Sequence, residues 1–104
     1  MLGRVLCVED DEILRDFITQ GLREAGGVVD GVCGIAAFCE RAREGGYDLW
    51  VMDRKVSDGD CIDMLRALRA EGLTTPALML TSLGALEQRV DGFEAGADFP
   101  IIRG

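Results

Sequence analysis

Short unbroken apolar runs alternate along this chain with stretches whose apolar positions recur every three or four residues. Val5-Leu6-Cys7-Val8, Leu49-Trp50-Val51-Met52 and Ala77-Leu78-Met79-Leu80 are the unbroken runs. Each has the length of a strand and no polar side to turn towards water, the pattern of a parallel sheet covered on both faces. Val28 to Val32 is a weaker strand interrupted by Asp30, and Asp98 to Ile102 reads as a fifth. Between them the period changes. Leu14, Phe17, Ile18, Leu22 and Ala25 make a helical stripe, as do Ile35, Phe38, Cys39 and Ala42. Ile62, Met64, Leu65 and Leu68 predict a third helix, laced with Arg66 and Arg69; Leu86, Val90 and Phe93 predict a fourth. Asp10 or Asp11 is placed to cap the first helix, and Gly26-Gly27, Gly45-Gly46, Gly72 and Gly96 punctuate the helix ends. The order βαβαβαβαβ with short connections predicts an α/β domain with a doubly wound, five-stranded parallel sheet. The domain spans residues 1–104, without linkers or repeats.

Composition narrows the function. With 104 residues, 48% hydrophobic and 29% charged, the chain is a single globular domain. Its net charge of −8 argues against a nucleic-acid surface, which needs basic residues to neutralise phosphates, and suits cations or basic partners. No basic-then-apolar leader opens the chain and no apolar run is long enough to cross a bilayer, so a cytoplasmic location without membrane contact is expected. Cys7, Cys33, Cys39 and Cys61 form no C-x-x-C pair and there is no histidine. A zinc site and a disulfide scaffold are both disfavoured, and most of these thiols read as small buried hydrophobes.

The polar residues that stop the strands carry the chemistry. The first strand ends at Glu9-Asp10, the third at Asp53 and the fourth at Thr81-Ser82. In an open α/β sheet, ligands bind beyond the carboxyl ends of the strands, where strand order reverses. The first, third and fourth strands can be neighbours there. Carboxylates packed together repel unless a cation neutralises them, and an oxygen-only donor set favours Mg²⁺ or a similarly hard ion. A hydroxyl and a cationic side chain beside such a cation complete a pocket for a tetrahedral oxyanion, as phosphoryl transfer requires.

Taken together, the segments Val8-Glu9-Asp10-Asp11, Tyr47-Asp48-Leu49 with Asp53, Asp58-Gly59-Asp60, Pro76-Ala77-Leu78-Met79-Leu80-Thr81-Ser82 and Phe93-Glu94-Ala95-Gly96-Ala97-Asp98 resemble the receiver domain of bacterial two-component response regulators. The nearest likeness is to receivers that precede a winged-helix DNA-binding domain. The resemblance implies a CheY-like, flavodoxin-like sheet of order 2-1-3-4-5. It implies a phosphorelay module in which Asp53 accepts a phosphoryl group from the histidine of a sensor kinase. Asp10, Asp53 and the backbone carbonyl of Lys55 would hold Mg²⁺, with Glu9 acting through a bound water. Thr81 would hydrogen-bond the phosphoryl oxygens, and Arg103 stands where the family has a lysine that pairs with them. Such a module is a signalling phospho-acceptor rather than an enzyme with a separate substrate.

The chain also departs from the family. Arg103 replaces the lysine with a planar fork, Gly104 replaces the proline after it, and a fifth helix is absent from the sequence. Pro100 occupies the position of an aromatic residue, with Phe99 one place earlier, so Thr81 is expected to sense the phosphoryl group without an aromatic relay. Ser57 and Cys61 replace a usual proline and glycine, and Arg54-Lys55 puts two cations beside the acceptor, each read as solvated. The alternative reading is therefore a degenerate or truncated receiver serving as a phosphorylation-independent interaction or dimerisation module. Self-association is expected through a sheet face bared around Cys7, Met79 and Ile101 or Ile102. An aspartyl phosphatase reading fails on Lys55, where an acid is required. A calcium-loop reading fails because Asp58-Gly59-Asp60 lacks the full set of acids required before its glycine.

Overall fold

The computed structural model describes the backbone of residues 2–82 and 99–103, with side chains described for residues 2–54 and 56–80. The elements are β1 (Gly3–Val8), α1 (Glu12–Glu24), β2 (Gly27–Val32), α2 (Ile35–Glu44), β3 (Leu49–Asp53), β4 (Lys55–Val56), β5 (Gly59–Asp60), α3 (Cys61–Ala70), β6 (Ala77–Ser82) and β7 (Phe99–Arg103). The fourth predicted helix, at Leu86, Val90 and Phe93, lies outside the described residues, as does Asp98. The main sheet runs β2-β1-β3-β6-β7 with every pairing parallel. This is the expected order 2-1-3-4-5, with β6 and β7 as its fourth and fifth strands.

The pleat sorts the apolar runs onto two faces. Leu6 and Val8 of β1, Trp50 and Met52 of β3, and Ala77 and Met79 of β6 join Phe38 and Ala42 of α2 and Ile62, Met64, Leu65 and Leu68 of α3 in the larger core. Val5, Cys7 and Val51 point the other way, towards Ile18 and Leu22 of α1. Each large apolar side chain buried in this way stabilises the fold by roughly 1.5–3 kcal/mol. Asp11, the second of the two acids predicted to cap α1, does so: its Oδ1 accepts from the Leu14 N–H at 3.0 Å.

Three expectations need correction. Phe17 is not part of the covering stripe: it is 77% exposed, as is Ile13 at 83%. Positions 14, 18 and 22 form the row that meets the sheet, and 13, 17 and 21 form the next row round the helix, facing out. The bared face predicted around Cys7 and Met79 is not there either, because both are completely buried. Met79 is registered with Met52 and so lies on the α2–α3 side. The side chains of Ile101 and Ile102 fall outside the described residues. Finally, the loop after Asp53 is folded: β4 and β5 pair antiparallel, Lys55 opposite Asp60 and Val56 opposite Gly59.

Candidate functional site

Register sets the site. Val8 of β1 pairs with Met52 of β3, and Asp53 pairs with Leu80 of β6. Glu9 therefore leaves β1 level with Asp53, and Thr81 lies one residue beyond Asp53's partner. At this edge one carboxylate oxygen from each of Glu9, Asp10 and Asp53 lies within 4.8 Å of the others. Glu9 and Asp53 are buried, at 1% and 7% exposure, whereas Asp10 is exposed. Two buried acids and one solvent-facing acid make an oxygen-only donor set with an open side, which fits a hard divalent cation that keeps some of its waters.

Backbone contacts fix these acids. The Glu9 N–H donates to the Val32 carbonyl at the end of β2 at 3.1 Å. Arg15 of α1 donates through Nη1 to the Glu9 carbonyl at 2.9 Å. Asp53 Oδ1 accepts from the Arg54 N–H at 2.9 Å. Arg15 was not singled out from the sequence, since a bond to a backbone carbonyl has no motif.

Of the remaining predicted residues, Lys55 opens β4 with one residue between it and the end of β3, so its carbonyl belongs to the hairpin flanking the acids. Thr81 is in β6 and Arg103 in β7, where Arg103 pairs with Ser82. Both stand at the acidic end of the sheet; their side chains are outside the described residues. Arg54 is not solvated as expected. Its side chain is only 17% exposed and its Nε lies 3.6 Å from Asp60 Oδ2. The short hairpin folds it inward, because Cys61 N–H donates to the Arg54 carbonyl at 2.6 Å and closes the loop over it.

Asp58, read as turn chemistry, has a second task. Its carboxylate accepts from the N–H groups of Ile35 and Ala36 at the start of α2, at 2.9–3.4 Å. These bonds, led by that from Ile35, hold its carboxyl below the usual carboxylate range. Its folded pKa is thus depressed, so the contact is present at neutral pH and is lost on acidification through that lowered value.

The acids leave a mark on neighbouring thiols. Burial pushes Cys7 up to about 12, with the negative charges of Glu9 and Asp53 adding to the shift. Cys61 is raised by burial and then by Asp53 and Asp60. Cys33, by contrast, is exposed. Since the thiolate is the reactive form, a thiol reagent at neutral pH should label Cys33 first and leave Cys7 and Cys61 untouched until unfolding. Peptide mapping checks this; native labelling of Cys7 at the rate of Cys33 would contradict it.

Comparison with known proteins agrees with this geometry. A family model described as the response regulator receiver domain matches residues 5–102. The transcriptional regulatory protein CusR of Escherichia coli (strain K12) is 38% identical over 100 residues, covering 96% of this chain and 44% of CusR. The transcriptional regulatory protein CutR of Streptomyces coelicolor is 41% identical over 95 residues, covering 91% of this chain and 44% of CutR. The chain thus spans less than half the length of these relatives. Among solved structures, a Francisella response regulator receiver domain superposes with a TM-score of 0.89 at 25% identity, covering 96% of this chain and 83% of that one. TrrA of Thermotoga maritima, solved in complex with Mg²⁺-BeF, shares the fold with a TM-score of 0.86 at 20% identity, over 98% of this chain and 87% of its own.

Proposed function

Because the chain belongs to the response regulator receiver domain family, we propose that its strand-end acids form a phospho-accepting site and that Asp53 is the acceptor. The convergence of Glu9, Asp10 and Asp53 within 4.8 Å carries this reading. The donor is the phosphohistidine of a sensor kinase. An Asp53 carboxylate oxygen attacks the phosphorus in line, the O–P bond forms and the P–N bond breaks. The electron pair goes to the imidazole nitrogen, which takes a proton.

A bound Mg²⁺ supplies neutralisation of charge on the phosphoryl oxygens and on the acids. Asp10, Asp53 and the Lys55 carbonyl are the groups that would hold it, with Glu9 acting through water. Attack requires the carboxylate form of Asp53, and its place at the end of β3 fixes its backbone beside Glu9 and Asp10. Thr81 and Arg103, at the ends of the next two strands, are assigned to the phosphoryl oxygens. Arg103 can replace a lysine there as a cation, and its fork favours two parallel hydrogen bonds.

The curated relatives are named as transcriptional regulators, and control of transcription is the output we assign to a longer protein of this kind. With a net charge of −8, the chain itself is given no nucleic-acid surface. The cytoplasm is the compartment this reading implies. Among the described residues no helix is long and apolar enough to cross a membrane.

Intact-mass measurement after addition of Mg²⁺ and a small acyl phosphate tests the proposal. One labile phosphoryl group should appear, and none in Asp53→Asn. Undiminished labelling of Asp53→Asn would refute the assignment.

A further inference from the structure

The hairpin that follows Asp53 is fastened at both ends. At its base, the Cys61 N–H meets the Arg54 carbonyl at 2.6 Å, and Arg54 Nε faces Asp60 Oδ2 at 3.6 Å. At its tip, Asp58 reaches a different element. Helix α2 starts after Gly34, which has no side chain to satisfy the first N–H groups. Asp58 supplies the missing acceptor from 23 residues further along the chain, at 2.9 and 3.0 Å from the Ile35 nitrogen.

The surfaces on either side of this contact are shaped for it. A Cβ on Gly34 would lie 2.9 Å from Asp58 Oδ2, and a Cβ on Gly59 would lie 2.8 Å from Ile35 Cδ1. Glycine at both positions lets hairpin and helix close together. Ile35 in turn packs against the larger core. The tip of the hairpin is therefore pinned to a helix that the core holds still, while Lys55 lies in the strand between that tip and Asp53.

We propose that Asp58 is a positioning residue for the metal site: by capping α2 it fixes the β4–β5 hairpin so that the Lys55 carbonyl is held beside Asp53. This rests on reading the acids as a Mg²⁺ site. A hairpin ordered in advance spares the ion the entropy of ordering it. Release of the tip lets the hairpin sample positions in which the carbonyl points elsewhere.

A Mg²⁺ titration followed by amide NMR, which reports on the folded protein, separates the outcomes. Four proteins are compared: the parent chain, Asp58→Ala, Asp58→Asn and Gly34→Ala. Gly34 has φ −156, extended backbone that alanine adopts freely, so its added methyl acts by displacing the Asp58 carboxylate. Asp58→Ala and Gly34→Ala should each weaken Mg²⁺ binding roughly tenfold, the low end for groups that support a metal's ligands. Asp58→Asn keeps an acceptor oxygen and should stay closer to the parent than to Asp58→Ala. A cap that only stabilises α2 would lower the melting temperature of Asp58→Ala and leave its Mg²⁺ affinity at the parent value, which overturns the inference alone. If Asp58→Ala does not fold, Gly34→Ala decides the matter by the same criterion. A parent chain that binds no Mg²⁺ overturns the metal reading and this inference with it.

Discussion

Mg²⁺ at a hundredfold excess over its dissociation constant should raise the melting temperature of this chain by about 11–22 °C, and Asp10→Asn should erase that response. The first half follows from mass action. A ligand that binds only the folded state at this excess stabilises it by about 2.7 kcal/mol, and a domain near this size melts about 4–8 °C higher per kcal/mol. The second half follows from the placement of the acids. Glu9 and Asp53 are buried, and the exposed Asp10 is the member of the cluster that faces the entering ion. Its replacement by an amide removes one negative charge from three crowded carboxylates. The metal-free protein should therefore melt higher than the parent, while its affinity for the ion falls. Asp11→Asn is the matched control. It removes the same charge one residue away, but Asp11 caps α1 and lies outside the cluster, and asparagine caps as well as aspartate. Asp11→Asn should keep the Mg²⁺ response. Thermal melts of the three proteins with and without Mg²⁺ check all of this; a full response in Asp10→Asn would remove Asp10 from the site.

The sheet was legible because its signals are local and redundant. Four-residue apolar runs that end in polar residues leave few ways to lay down a strand, and β1, β3 and β6 lie where those runs predict. The acid cluster was legible for the same reason: a residue that ends a buried strand in a parallel sheet must emerge at one edge of it. Other features depend on contacts distant in sequence. The link from Asp58 to Ile35 joins residues 23 apart, and an Asp-Gly pair announces a turn without saying what its carboxylate will meet. Arg54 looked solvated because a cation in a loop usually is; the hairpin beside it depends on pairings that no motif announces, among them the bond from the Cys61 N–H to the Arg54 carbonyl and the approach of Arg54 to Asp60. Helix faces were readable only to within one residue of rotation. Rows 13-17-21 and 14-18-22 of α1 both carry large apolar residues, and the register of the sheet beneath, which the stripe does not encode, selected the second.

That ambiguity sets up the other large expected effect. Phe38→Ala should destabilise the fold by about 3–5 kcal/mol, the usual cost of emptying an aromatic site in a packed core. Phe17→Ala, the same substitution on α1, should stay within about 0.5 kcal/mol of the parent, as exposed positions do. Both phenylalanines stand in apolar helical stripes, and only packing separates them. Phe38 is completely buried, and its ring meets Trp50 edge-on with centroids 5.6 Å apart and planes at 75°. Trp50 is itself 1% exposed and lies under the Arg69 guanidinium, whose Cζ is 5.3 Å from its ring centroid. Truncation of Phe38 thus opens a void against the largest side chain of the core and strips it of an aromatic partner. The loss is a large share of the roughly 5–15 kcal/mol that holds a domain together, and the melting temperature should fall by roughly 12 °C or more. Because Trp50 pairs with Leu6 and lies on the strand that ends at Asp53, the void should also loosen the base of β3. Urea denaturation of the two variants beside the parent measures both effects. A Phe17→Ala protein as unstable as Phe38→Ala would mean that α1 packs through the row assigned here to solvent.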